Sequence, residues 1–160
     1  YGGILWRKKT MDRVIHLSLE LPSPVSRTFD YFCLPGLLTT WLCPEADVSP
    51  VVGGKYELFW DITNKQDNST IGCKVTAIAN LQFISFEWKS PAMFKHFANT
   101  ANPLTHVMVS FHATENGTVV HLVHSGWRSN DSWLKAAKWQ ENAWHIAFEN
   151  LATVVKDSYP

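Results

Sequence analysis

The sequence has no surplus of charge of either sign. Its 160 residues include 14 lysines and arginines against 14 aspartates and glutamates, which gives a formal net charge of zero with histidine neutral. Recruitment of nucleic acid or of an anionic membrane surface depends on a concentrated positive field, so the composition predicts neither partner. The sequence also lacks an apolar run of the roughly 18 residues that a membrane-crossing helix requires, and we predict no membrane insertion.

Cysteine is scarce as well. Cys33, Cys43 and Cys73 are an odd number, and no two of them have the spacing of a CxxC motif. A disulfide framework is therefore not expected, and a reducing cytoplasm is the predicted location. The motifs that cradle phosphates or dinucleotides are missing too, so no cofactor is predicted.

The amino-terminal residues lack the pattern of a secretory signal, because the cationic residues of YGGILWRKKT follow the apolar ones instead of preceding them. Met11 is a candidate natural start. Residues 1–10 would then be an amino-terminal extension or a cloning remnant, and residues 11–160 a single domain. A chain of this length buries about two-thirds of its unfolded surface on folding, so its core needs no metal or disulfide.

Aromatic side chains, by contrast, are abundant. They make up 13% of the chain and include eight tryptophans, whereas charged residues reach only 18%. This is more aromatic surface than a domain of this size needs to close its core. We therefore expect part of that surface to serve a purpose beyond structure.

Hydrophobic periodicity predicts an α+β fold. Residues 13–21 alternate with period two, which is typical of a strand with one wet face. Two short amphipathic helices follow, separated by Pro35 and Gly36. From Ala46 to Gly126, β-rich segments separated by turn signals predict an antiparallel meander of six strands. The first strand and the meander together give a curved, seven-stranded antiparallel sheet.

Beyond Asp131 the apolar period returns to 3.6 residues, which predicts a long carboxy-terminal helix. The residues of its apolar stripe are Trp133, Ala136, Ala137, Trp144, Ala147, Phe148, Leu151, Val154 and Val155. The apolar face of the sheet is the only surface large enough to cover this stripe. We therefore expect the sheet to wrap around the helix.

The order of these elements resembles the helix-grip fold of the START and Bet v 1-like (SRPBCC) superfamily, and within it the domain related to the activator of Hsp90 ATPase (AHSA1-like). The residues that carry the resemblance are Pro24-Val25 with Phe29; Trp41; Gly53-Gly54 followed by KYEL; Gly72; Phe86-Glu87-Trp88; Gly117-Thr118; HLVHSGW at 121–127; and Trp144 with Leu151. Two features depart from the family pattern. Ala143 stands where many relatives have glycine, and the stretch from 89 to 103 is long enough to be a lid or an extra helix.

The resemblance implies a cavity between sheet and helix, but no single activity. Members of the superfamily include lipid or hormone carriers, polyketide aromatases and cyclases, stress-response proteins and co-chaperones. We expect a small hydrophobic molecule to bind between the sheet and the last helix. The predicted ligand-binding residues are Trp60, Ile84, Phe86, Trp88, Val109, Phe111, Leu122, His124, Trp144 and Phe148. The alternative is that these side chains simply fill the core.

Two other functions remain open at this point. The family branch suggests a stress-response protein that interacts with an Hsp90-type chaperone. The same pocket could also serve a cofactor-independent lyase or cyclase, in which His124 carries a proton and Glu57 or Tyr56 assists. The weak catalytic signal favours a binding module over an enzyme. Pairing through exposed strand edges would allow a homodimer.

The seven histidines raise the question of a metal site, but their spacing argues against one. His121 and His124 are three residues apart on a predicted strand, which sends them to opposite faces. His106 and His112 share a face, yet the rise of a strand separates them by about 20 Å. No metal is therefore predicted.

Overall fold

The computed structural model describes residues 12–158, and Met11 and the proposed extension at 1–10 lie outside the described residues. Its strands are β1 (Ile15–Leu21), β2 (Glu45–Val48), β3 (Tyr56–Phe59), β4 (Val75–Ala79), β5 (Phe83–Trp88), β6 (Thr105–Thr114) and β7 (Gly117–Ser125). Its helices are α1 (Val25–Cys33), α2 (Pro35–Trp41), α3 (Lys95–Ala98) and α4 (Asp131–Ser158). This order confirms the α+β helix-grip architecture predicted from the sequence.

β1 shows the alternation that the sequence predicts. Ile15 and Leu21 are buried, whereas His16, Ser18 and Glu20 on the other face are exposed. β1 forms one edge of the main sheet and pairs with β7 in antiparallel register. One face of the sheet therefore covers the core, and the other faces solvent.

α1 and α2 follow β1 directly, as predicted. Pro35 stands in the first turn of α2, where the N–H that proline lacks would have no intrahelical partner. At the end of α2, Trp41 donates its indole N–H to the carbonyl of Tyr31 over 3.0 Å. This hydrogen bond ties the end of α2 to α1, and α2 in turn packs against α4.

Seven strands are present, but the prediction of one continuous seven-stranded sheet is wrong. Five strands form one sheet in the order β1-β7-β6-β5-β4, and β2 and β3 form a separate two-stranded ladder. The segment between β3 and β4 still pairs with the region of β3 at two isolated bridges. These join Lys55 to Lys74 and Phe59 to Ser69.

Thr70 explains why β3 does not continue the main ladder. Its hydroxyl donates to the carbonyl of Tyr56 over 3.0 Å and accepts the N–H of Leu58 over 2.9 Å. The backbone N–H of Thr70 donates to the carbonyl of Leu58 over 2.9 Å. A single residue thus occupies backbone groups that a neighbouring strand would otherwise use. The ladder beside β3 is therefore interrupted between the backbone hydrogen bonds from Tyr56 to Cys73 and from Trp60 to Asn68.

α4 lies against the apolar face of the curved sheet, and the middle of this interface is closely packed. Phe148 approaches Phe32 and Trp41, with ring centroids 6.4 Å away in each case. Tyr56 and Phe86 stack with centroids 3.7 Å apart.

Within residues 12–158, no helix combines the length and the hydropathy that a membrane crossing requires.

The long stretch after β5 contains a 3-10 turn, Ala92–Phe94, followed by α3. Ser90 donates its N–H to the Asn99 side-chain oxygen over 2.7 Å, and the Asn99 amide donates back to the Ser90 carbonyl over 2.9 Å. The N–H of Ala92 donates to the side-chain oxygen of Asn68 over 2.9 Å. The stretch is therefore an extra helical segment tied to the loop after β3.

Candidate functional site

A cavity of about 460 Å³ lies between α4, the end of α2, the loop after β3 and the segment after β5. Five tryptophans contribute to its lining: Trp41, Trp60, Trp88, Trp139 and Trp144. On α4, Ala143 and Ala147 also face the cavity, and their short side chains leave room beside the indole rings. The last helix therefore stands clear of its surroundings at one end of the interface.

Three of the tryptophans form a continuous aromatic wall. The ring centroid of Trp88 lies 4.9 Å from that of Trp144 and 5.9 Å from that of Trp60. Trp88 and Trp144 are almost fully buried, whereas Trp60 is 38% exposed and Trp139 is 41% exposed. The wall thus runs from the opening of the cavity to the core.

Trp60 reaches the cavity by a different route from the one its sequence pattern predicts. Alternation along β3 places it on the inner face with Tyr56 and Leu58. β3 ends at Phe59, however, and Trp60 is the first residue of the following loop. Its indole N–H donates to the carbonyl of Leu42 over 2.9 Å, which ties this loop to the end of α2.

Gln140 is a polar residue within the apolar stripe of α4. Its side chain is 4% exposed and lines the cavity. Its Oε1 atom accepts a hydrogen bond from the indole Nε1–H of Trp88 over 3.2 Å. This contact joins α4 to the end of β5 at the floor of the cavity.

Asp61 and Lys89 also contribute to the lining, and both have protein partners. The Asp61 carboxylate accepts the hydroxyl of Thr63 over 2.7 Å and its N–H over 3.1 Å. These hydrogen bonds lower the pKa of Asp61 below its ordinary value. Lys89 donates to the carbonyl of Ile71 over 2.6 Å. Because these two charges are opposite, the described residues of the lining carry no net charge.

His124 lies behind Trp144 and is not among the residues that line the cavity. Its Nδ1 accepts the indole N–H of Trp144, and its Nε2 lies 3.0 Å from the hydroxyl of Thr105. Because indole only donates, the neutral ring carries its proton on Nε2 and donates to Thr105. Burial, with a smaller contribution from His106, holds the pKa of His124 well below its ordinary value of 6.5. The ring is therefore neutral, and both its nitrogens are paired.

Tyr56 and Glu57, the other residues considered for proton transfer, are also held in structural hydrogen bonds. The fully buried Tyr56 hydroxyl donates to the carbonyl of Phe32 over 2.6 Å, and burial raises the pKa of Tyr56 well above its ordinary value. The Glu57 carboxylate accepts the N–H of Gly72 over 2.7 Å. Neither side chain belongs to the cavity lining. The structure does not bring the three catalytic candidates together at this cavity.

Of the predicted ligand-binding residues, Trp60, Trp88 and Trp144 line the cavity. Six others are buried in the core away from its lining: Ile84, Phe86, Val109, Phe111, Leu122 and Phe148. Helix α1 covers one of them, Phe111, because the ring centroid of Phe29 on α1 lies 5.3 Å from that of Phe111. At the five of these positions that lie on the sheet, protein side chains, and not open space, cover its apolar face.

Sequence reasoning missed several lining residues, among them Trp41, Trp139, Gln140 and Met93. One of them had a usable signal. Gln140 falls on the apolar stripe of α4, three residues after Ala137 and four before Trp144, where a polar side chain is unexpected. The others become cavity residues only through contacts between distant segments, which spacing along the chain does not reveal.

The cysteines and histidines do not add reactive groups to this cavity. All three cysteines are free and buried, and burial raises the pKa of Cys33 and Cys73 to about 12. Histidine spacing overlooked one close pair across strands, in which Nε2 of His16 lies 3.1 Å from Nδ1 of His121. In the described part of the chain, no group of three His, Cys, Asp or Glu side chains could hold a metal ion.

Several solved structures have this fold. The protein MLL2253 from Mesorhizobium loti matches with a TM-score of 0.73 and 20% identity, over 92% of this chain and 99% of that one. The solution structure of the Aha1 dimer from Colwellia psychrerythraea matches with a TM-score of 0.70 and 15% identity, over 92% and 99% of the two chains. CalU16 from Micromonospora echinospora matches with a TM-score of 0.64 and 14% identity, over 90% and 76%. At these identities the likeness establishes the fold alone.

No curated protein matches the sequence significantly. The sequence profile described as Activator of Hsp90 ATPase homolog 1-like protein matches residues 22–156, which is most of the chain. This match agrees with the resemblance seen in the sequence and with the helix-grip architecture. The chain therefore belongs to the activator of Hsp90 ATPase homologue 1-like family.

Proposed function

We propose that this protein binds a small, uncharged, apolar molecule with an aromatic ring system in the tryptophan-lined cavity. The observation that supports this most directly is a space of about 460 Å³ with five indole rings in its lining. Protein cavities that hold small molecules commonly have about 300–1,000 Å³ and apolar walls with a few placed polar groups.

The packing of the rest of the interface supports the same proposal. Protein interiors are close-packed, and they rarely leave voids much larger than a water molecule. Ala143 and Ala147 leave space on α4 where larger side chains would have closed it against Trp88 and Trp144. A guest molecule that stacks on these indoles would recover the apolar contacts that the free protein lacks.

The charges at the cavity favour an uncharged guest. Asp61 and Lys89 are of opposite sign, and each already has a hydrogen-bonding partner in the protein. A charged ligand would have to leave water for an apolar floor with no free counter-charge among the described lining residues, which is costly. Neutral molecules avoid that cost.

A lyase or cyclase that uses His124, Glu57 or Tyr56 receives less support. His124 and Tyr56 are fully buried, and all three side chains are held in structural hydrogen bonds and lie outside the cavity lining. Proton transfer requires a group within hydrogen-bond reach of the substrate. A ligand in the cavity would meet the indole of Trp144 before it met His124.

A chaperone partner is a second candidate, and the family match is the observation that favours it. Stimulation of an Hsp90-type ATPase by the purified protein would support it, and absence of both binding and stimulation would contradict it. Cytoplasmic location and a homodimer through strand edges also stay predictions. A native mass spectrum would report the second of these directly.

The cavity proposal is tested by titrating the protein with 2-ethylnaphthalene and following tryptophan fluorescence. Ala143→Trp fills the cavity and should weaken binding by at least about tenfold. Asn142→Trp is the matched control, because Asn142 is exposed on the same helix and does not line the cavity. The control should bind as the wild-type protein does. The proposal fails if the wild-type protein does not bind the probe, or if both variants bind it equally well.

A further inference from the structure

Among the described residues that line the cavity, Gln140 is almost fully buried, and its side-chain amide offers a hydrogen-bond donor without a protein partner. Gln140 and Ser69 are polar residues of the lining that are each 4% exposed. The hydroxyl of Ser69 donates to the carbonyl of Lys65 over 2.6 Å. The NH₂ group of Gln140 has no hydrogen-bond partner in residues 12–158, and its nitrogen keeps some accessible surface in a residue that lines the cavity.

Trp88 determines which end of the Gln140 amide is free. The indole Nε1–H of Trp88 only donates, so the Gln140 atom 3.2 Å from it must be the carbonyl oxygen. With the oxygen held by Trp88, the two N–H donors of Gln140 remain for another acceptor.

The indole N–H groups of the lining do not compete for this role. Those of Trp41, Trp60, Trp88 and Trp144 donate to Tyr31, Leu42, Gln140 and His124, respectively. Trp139 is the fifth lining tryptophan, and it stands at the opening with 41% of its surface exposed. Asn68 also lines the cavity but is only partly buried, so Gln140 is the almost fully buried residue of the described lining that offers an unpaired donor beside Trp88.

We propose that the Gln140 NH₂ group donates a hydrogen bond to a carbonyl oxygen of the bound molecule. The ligand class is then an aromatic ketone, ester, amide or quinone without charge, its rings against the indoles and its oxygen toward α4. This inference rests on the proposed function and adds the chemical group by which the cavity selects among apolar molecules. A molecule without an acceptor leaves a buried donor unpaired, which costs affinity.

Two probes of nearly equal shape test this inference. 2-Acetylnaphthalene carries the carbonyl oxygen, and 2-ethylnaphthalene has the same ring system without it. Their dissociation constants are measured with the wild-type protein and with Gln140→Met, which removes the donor at similar volume. The ratio of the two affinities should shift by about 3–10-fold in favour of the hydrocarbon in the variant. A general change in the cavity would affect both probes alike and leave the ratio unchanged.

The carbonyl stretching frequency of bound 2-acetylnaphthalene provides a second measurement, and this one needs no variant. A hydrogen bond from Gln140 lowers the frequency below its value in cyclohexane. A frequency equal to that in cyclohexane, or an unchanged affinity ratio while 2-ethylnaphthalene still binds, would overturn this inference and leave the proposed function standing. Failure of both probes to bind the wild-type protein would overturn both.

Discussion

The indole Nε1–H of Trp144 donates a hydrogen bond to Nδ1 of His124 over 3.0 Å. Trp144 forms part of the cavity wall, and His124 supports it from β7 on the side away from the cavity. His124 also accepts the indole N–H of Trp127 at its backbone carbonyl over 3.1 Å. One buried histidine therefore positions aromatic side chains from two later segments of the chain.

Replacement of His124 by alanine should destabilise the protein by about 3 kcal/mol. The variant leaves the indole N–H of Trp144 unpaired and opens a void where the imidazole was, and each effect costs free energy. Urea unfolding measures the difference. His112→Ala, on the exposed outer face of the same sheet, is the matched control and should change the free energy of unfolding by no more than about 0.5 kcal/mol. Equal effects of the two substitutions would contradict a structural role for His124.

The stability of the protein should fall as the pH drops below about 6.5. Burial depresses the pKa of folded His124 well below 6.5, so below that pH the unfolded chain binds a proton that the folded protein does not. The stability that the protein gains from a neutral His124 is fully present above pH 6.5. As the pH falls from 6.5 toward the folded pKa, this stability decreases by up to about 1.4 kcal/mol per pH unit.

The proton contribution of His124 is isolated by comparison with His124→Asn, since asparagine keeps an acceptor but does not titrate. Unfolding free energies of both proteins are measured from pH 8 to pH 5. The wild-type curve should be the steeper one below pH 6.5. Parallel curves would mean that His124 takes up its proton equally in the folded and unfolded states. His106, whose pKa is also lowered by burial, contributes to both curves.

Thr70→Val should cost about 1–3 kcal/mol of unfolding free energy. Valine keeps the shape but removes the hydroxyl that pairs with the N–H of Leu58 and the carbonyl of Tyr56, and these groups are buried. Thr153→Val removes a hydroxyl from the exposed surface of α4 and should have a much smaller effect. The thermal unfolding midpoints of the two variants are compared. Equal midpoints would contradict the role assigned to the Thr70 hydroxyl in the interrupted sheet.

The sequence predicted the elements well because each rests on a local signal. Alternation along β1 and the 3.6-residue period of α4 both follow from which side chains must face the core. The interruption after β3 had no such signal. It depends on the hydroxyl of Thr70 meeting backbone groups 12 and 14 residues away, which becomes visible only in three dimensions.

The candidate site was predictable only in part, for a related reason. Period-two alternation identifies which face of a strand is apolar, but not where along that face the helix stands clear of it. Phe111 and Trp88 both lie on apolar strand faces, yet α1 covers Phe111 whereas Trp88 borders the cavity. His124 illustrates the same limit, since its partners Thr105 and Trp144 belong to other elements.

The most direct test of the central claim uses the tryptophan indole N–H signals in a ¹H–¹⁵N correlation spectrum. On addition of 2-ethylnaphthalene, the largest shifts should occur at the lining residues: Trp41, Trp60, Trp88, Trp139 and Trp144. Trp127 and Trp133 serve as internal references, because both are buried and neither lines the cavity. A spectrum that does not move, or one in which Trp127 and Trp133 move most, would contradict the assignment of this cavity as the binding site.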